Sequence, residues 1–388
     1  MSEPNIFGVD MLSATSGSRD QDYYFDDGNL LLLVDLTLFK VHSSILGREC
    51  AAFRPGSNSI NRIVAMQGDT QVTAIPDIKA EQFRNFLLMF YGLSSDQEYR
   101  WLLCDIPDTS RLTITGFRVY LDVADLADRF NAPKLQTWAH GQLKKTARLT
   151  DARLSRYPLN SDYQLRAIRY ARRMGDDELL TDVRKTIQLH FFWVSKDSPI
   201  RLPAENTLMA DTIRKRAVEL YKDLSLRVDD PPLFGFVFCY VLSLGAEFGS
   251  KVPLLTRNDR VALLSAQVYL TPLPVSSLDL DWFCTLTLEN RRGIGTPIES
   301  CSKCDFYPAW EAVFGGDCYK QLRENATPLF GISQLARLPY QRLQFSDLVE
   351  EMASSDCQQR CGGRILDFVE GCIQNVYVRL IQYCRDVE

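Results

Sequence analysis

Apolar positions along the chain follow two different periods. Asn29–Val34 (NLLLLV) is a continuous apolar run of strand length after the turn dipeptide Asp27-Gly28, which predicts a strand covered on both faces. Thr37, Phe39 and Val41 alternate in the next run, Thr37–His42, so the two runs read as a hairpin across Asp35-Leu36. Asp-Leu is a poor pair for the primed turn that a two-residue loop requires. Ser43 reads as the N-cap of a short helix through Ile45, Leu46 and Arg48, and Gln71–Ile75 as a third strand stopped by Pro76. Beyond it the period changes. Phe83, Phe86, Leu87 and Phe90 recur at helical spacing up to Gly92. Val119, Val123, Leu126, Ala127 and Phe130 form a second helical face that ends at Asn131, and Pro133 restarts a helix through Leu135, Trp138, Ala139 and Leu143.

From Arg148 onward the pattern is almost wholly helical. Ser161-Asp162-Tyr163-Gln164 has the form of a capping box before the face Tyr163, Ala167, Tyr170, Ala171 and Met174, which stops at Gly175. Leu180, Val183, Ile187 and Phe191 make the next face. A helix from about Ala204 carries Met209, Ile213, Ala217, Leu220 and Leu224, with Arg214, Lys215 and Arg216 on its solvated side. After Pro231-Pro232, the run Leu233–Ala246 is too short to span a bilayer and reads as a buried core helix. Val261, Leu264 and Val268 mark the apolar side of another helix, and Ile365, Phe368, Val369, Cys372, Val376 and Leu380 that of the last, from about Arg364 to Arg385. No repeat of fixed period is present, which excludes a solenoid.

Composition narrows the class. With 388 residues, 46% hydrophobic and 24% charged, the chain is an ordinary globular one of two or three domains. A net charge of −5 gives no general attraction for nucleic acid or an anionic membrane, so neither is expected as a partner. Residues 1–20 lack the basic and apolar regions of a secretory signal and read as a disordered tail. The 11 cysteines, an odd number at irregular spacing, point to reduced thiols in the cytoplasm or nucleus.

The strings YYFDDGNLLLLVDLTLFKVHSSILGRECAAF, TAIPDIKAEQFRNFLLMFYG and FRVYLDVADLADRFNAPKLQTWAHGQL together resemble the BTB/POZ domain in its fungal form. Asp27, Gly28 and Asn29 open the first strand of that pattern. Phe39, Val41, His42, Leu46 and Phe53 match its F-x-V-H-x-x-x-L core, and Phe83, Leu87 and Tyr91 its helix ending in Tyr-Gly. The chain departs from the pattern at Leu36, at Cys50 and in the long connection Ser94–Thr115. The resemblance implies an α+β domain over residues 21–147, a short sheet with helices, followed by a mainly α-helical domain over 148–388. It also implies protein partners: a cullin-type ubiquitin ligase scaffold for which the chain is a substrate adaptor, or a second copy in a homodimer. No apolar N-terminal strand stands out for exchange between copies, and Arg111–Thr115 carries no evident hydrophobic-x-acidic cullin contact. The same resemblance makes His42 a structural residue, packed under the helix that follows it.

Two other readings come from the residues. A transcriptional co-regulator that self-associates without touching DNA fits the absence of a finger or basic arm. A zinc- or thiol-dependent regulator would use Cys301-Ser302-Lys303-Cys304, with Cys284 or Cys318 as further ligands, but the two tight Cys/His pairs of a zinc fold are missing. No Cys or carboxylate stands at ligand spacing from His140 or His190 in the sequence, and both read as structural or surface residues. There is no phosphate-cradling glycine loop, nucleophile elbow or H-E-x-x-H pair, so the chain is expected to be no enzyme and to carry no cofactor.

Overall fold

The computed structural model describes residues 17–54, 56–57, 63–67, 70–103, 114–153, 161–193, 207–245, 253–280, 282, 306–315, 329–352 and 361–384. The chain divides into two compact units, Met1–Leu149 and Thr150–Glu388. The first combines a small sheet with helices and the second is helical among its described residues, an α+β unit followed by an α unit.

The sheet of the first unit contains β1 (Ser18–Tyr24), β2 (Leu30–Val34), β3 (Thr37–Val41), β4 (Ile63–Gln67) and β5 (Thr70–Ala74), in the order β1-β3-β2-β5-β4. β2 runs antiparallel to β3 and parallel to β5, while β1 runs parallel to β3. Central β2 is covered on both faces because its alternate residues enter different clusters. Leu32 and Val34 join the main core, and Leu31 packs with Leu38 and Val72 on the other side. The hairpin forms despite its turn residues: Asp35 and Leu36 adopt φ of 47° and 63°, the pair of positive angles that a type I′ turn demands. Five paired strand residues on either side override the local preference of an exposed Leu.

Four features depart from the sequence reading here. Ser18–Asp20, expected in the tail, belong to β1, a polar strand that carries no apolar alternation to betray it. Ser43 is not the N-cap: α1 (Ser43–Glu49) starts on His42, which makes no side-chain cap, and the Ser43 amide is taken up instead by Asn29 Oδ1 at 2.8 Å. The long connection after Ser94 holds a helix, α3 (Gln97–Leu103), and β4 lies where no strand was expected. α2 (Ala80–Tyr91) and α4 (Ile114–Arg129) pack against each other, and α5 (Pro133–Arg153) follows after Asn131 at φ 53°. The unit boundary falls inside α5.

In the second unit, α6 (Ser161–Met174), α7 (Asp177–Trp193) and α8 (Thr207–Lys222) precede a short α9 (Leu224–Asp229) and α10 (Pro231–Ser243). α8 stops at Lys222, so Leu224 leaves the predicted face and is exposed on α9. The Ser161 hydroxyl at the start of α6 donates to Glu219 of α8 at 2.7 Å. The basic cluster is only partly solvated: Lys215 is exposed, Arg214 bonds Asp211, and burial pushes the half-buried Arg216 below its ordinary value.

α10 is the centre of this unit. Leu233 through Leu242 are all buried, and Gly235 lets the helix lie against α15 (Gly363–Leu380), since a Cβ there would overlap the Tyr377 carbonyl. Asp230 caps its first turn by accepting from the Leu233 amide and pairs with Arg184 of α7 at 3.0 Å, both side chains withdrawn from water. α11 (Arg257–Tyr269), α12 (Val275–Leu278), α13 (Tyr307–Phe314) and α14 (Phe330–Met352) complete the described helices. Among the described residues no helix is long and apolar enough to cross a membrane.

Candidate interaction surface

The residues that carry the family resemblance separate into a core and a joint. Phe39, Val41, Leu46, Phe53, Phe83 and Leu87 are all buried in the main cluster of the first unit, where the Phe39 and Phe83 rings meet edge to face at 5.0 Å. Asp27, Gly28, Asn29, His42 and Tyr91 lie at its rim. There the β1–β2 turn, the end of β3 and the end of α2 converge. Only glycine fits at position 28, because a Cβ would come within 2.8 Å of the Lys40 carbonyl oxygen.

The joint is a chain of hydrogen bonds. The His42 amide donates to the Tyr91 hydroxyl at 2.9 Å, and the His42 Nδ1 lies 3.2 Å from the same oxygen. On its other side, His42 Nε2 lies 3.3 Å from Asp27 Oδ1. A neutral imidazole with its proton on Nε2 satisfies every group: Nε2–H donates to Asp27 and the Tyr91 hydroxyl donates to Nδ1. Phe25, a residue the sequence did not single out, closes the cluster, with its ring 4.9 Å from Tyr91 and 5.3 Å from His42. The only sequence signal for it is its place in the aromatic run before Asp26-Asp27-Gly28.

An acid–imidazole–hydroxyl series also occurs in nucleophilic sites. Here burial pushes the Tyr91 hydroxyl up, away from the phenolate, while the His42 hydrogen bond holds the exposed Asp27 below its ordinary value. The cluster joins three elements, the β1–β2 turn, the end of β3 and the end of α2. His190 is buried in α7. Burial pushes the Cys50 and Cys372 thiols up to about 12, which leaves them protonated and inert at neutral pH. Cys301 and Cys304, with Cys284 and Cys318, lie outside the described residues. Among the described residues no group of three or more His, Cys, Asp or Glu is placed to hold a metal.

What the second unit presents to solvent is a helix face. Val261, Leu264 and Val268, the residues that mark this helix in the sequence, stand on the outer side of α11 at 42%, 48% and 72% exposure, with Leu254 and Tyr269 also exposed. The buried side consists of Ala262, Leu263 and Ala266. Asp259 fixes this orientation. Its carboxylate accepts from the Thr256 amide and hydroxyl, both at 2.7 Å, closing a capping box, and pairs with Lys222 of α8 at 2.8 Å. Gln267 also donates to the Leu242 carbonyl of α10 at 3.0 Å. With positions 259, 262, 263 and 266 turned inward, positions 261, 264 and 268 must face out at 100° per residue. Val261, Leu264 and Val268 therefore share one exposed side of α11.

No family model, no curated protein and no solved structure matches the chain.

Proposed function

We propose that the chain is a non-enzymatic interaction protein: a BTB/POZ-like N-terminal domain that docks on a cullin-type ubiquitin ligase scaffold, followed by a helical domain that selects the substrate. One observation carries this reading. The residues quoted for the resemblance, scattered from Asp27 to Tyr91 in sequence, meet in one packed core and one hydrogen-bonded joint, as the parts of a single structural signature must. Fold-level likeness by itself does not specify function. The test is a pull-down of the purified full chain against a cullin N-terminal domain at physiological salt: micromolar binding supports the adaptor role, and its absence removes it.

Self-association is the second reading, favoured by the exposed stripe of α11. A self-associating scaffold or a co-regulator that reaches DNA through others would use such a face. Sedimentation velocity across a concentration series separates these from a monomeric adaptor.

A further inference from the structure

We infer that α14 is a hinged helix and that the Tyr377 hydroxyl is the latch that holds its two halves in line. Pro339 lies inside α14, well away from either end. Proline has no amide proton, so the carbonyl four residues before it, that of Leu335, receives no helical hydrogen bond. Leu335 is wholly buried, and a carbonyl left bare in a dry site is costly because no water reaches it. The missing donor comes from α15. The Tyr377 hydroxyl donates to the Leu335 carbonyl at 2.9 Å, so a phenol on a neighbouring helix does what the amide of residue 339 cannot.

Tyr377 is held for this task from the side opposite α14. It is shut away from water, its ring meets Phe236 of α10 edge to face at 5.4 Å, and its own backbone carbonyl is pressed against Gly235. Each half of α14 also has a separate hold. Before the proline, the Cys239 thiol of α10 donates to the Ile332 carbonyl at 3.5 Å. After it, Arg342 pairs with Glu370 of α15 at 2.6 Å, and Gln374 donates to the other oxygen of that carboxylate at 2.7 Å. Between these holds the backbone ladder is broken at one place, and the Tyr377 hydroxyl bridges it. An interior proline is where a helix bends. A break closed by a side chain rather than by the ladder is where α14 opens ahead of the rest of its unit. The latch is independent of the adaptor reading and of the N-terminal resemblance.

A double-mutant cycle in the full chain tests it. Tyr377→Phe keeps the ring and removes the donor, leaving the Leu335 carbonyl bare, and should raise the unfolding constant in urea about tenfold. Pro339→Ala restores the backbone amide, and in that background Tyr377→Phe should change the constant by less than about threefold. Hydrogen exchange locates the effect. In the wild-type chain the amides of 340–343 should exchange faster than those of 236–241 in α10, and Tyr377→Phe should speed the former about tenfold further, an increase that Pro339→Ala abolishes. If Tyr377→Phe alone does not accumulate in folded form, recovery of the fold by added Pro339→Ala reads the same coupling, and failure to recover counts against it. Equal costs of Tyr377→Phe in the two backgrounds would make the hydroxyl an ordinary core contact. Exchange at 340–343 as slow as at 236–241 would show that α14 does not hinge. Either result overturns the proposal, and neither bears on the cullin pull-down.

Discussion

α10 and α11 are helices of the same length, 13 residues, in the same unit, and each has near its N-terminus an aspartate that takes up a backbone amide and pairs with a cation. In α10 that aspartate is Asp230, buried with Arg184, and ten successive residues after it are shut away from water. In α11 the aspartate sits at the third helical position as Asp259, with a half-exposed Lys222, and the strongest apolar stripe faces out. An apolar period therefore identifies residues that share a side, but it does not say which side the fold turns inward. For α10 the question never arises, since every side is apolar. In α11 two alanines allow a closer approach than Val or Leu would, and the anchored Asp259 holds that small-residue face toward the unit.

The largest expected effect lies at the α10 anchor. Arg184→Met strands Asp230 without its cation in a dry site and should cost about 3–5 kcal/mol, whereas Lys222→Met, the matching change at α11, should stay within about 1 kcal/mol because solvent screens that pair. Urea unfolding of the two variants measures the contrast, and equal losses would break it. Next comes packing. Gly235→Ala forces a methyl into the Tyr377 backbone and should cost about 2–3 kcal/mol, and Leu263→Ala on the inner side of α11 about 2 kcal/mol or more. Leu264→Asp, one residue further on, should move stability by no more than about 0.5 kcal/mol. A large loss there would mean that the stripe is covered within the chain.

The smallest effect is one of pH. Burial pushes the Asp259 carboxyl up, but the Lys222 ammonium and the Thr256 hydroxyl and amide outweigh it and hold it below its ordinary value. A carboxylate depressed in the folded state adds stability above its unfolded value, about 3.9, and loses it as pH falls through the folded one. The stability gap between the wild-type chain and Asp259→Asn should accordingly be present at pH 6 and shrink progressively below about pH 4. A gap that does not change with acid would show that the capping box, rather than the charge, orients α11.

How much of the molecule could be read in advance differs with position in the fold. β2, β3 and β5, α2, α4 and α10 lie against the core, and their patterns record it. β1 and β4 are the two edges of the sheet. β1 spells Ser-Arg-Asp-Gln-Asp-Tyr-Tyr, a run held by backbone pairing to β3 and by the Asp20–Arg84 ion pair, neither of which leaves a periodic trace. The signature residues of the first unit were legible as a set, yet the division of labour among them was not. Phe39 and Phe83 read as core by their chemistry, while the roles of Asn29 as the partner of the Ser43 amide and of Phe25 as the ring between His42 and Tyr91 depend on residues distant in sequence.

By itself the sequence determined the change from a strand period to a helical one, the stops at Asn131 and Gly175, and the apolar runs whose burial drives folding, because each depends on side-chain order and local backbone preference. Only the tertiary structure decided that Asp35-Leu36 would accept positive φ, that α8 would end at Lys222, and that Val261, Leu264 and Val268 would meet water. Those outcomes depend on which partner each segment finds. A hairpin ladder outweighs the preference of one turn residue, and an anchored carboxylate with two small side chains can turn a stronger apolar face outward.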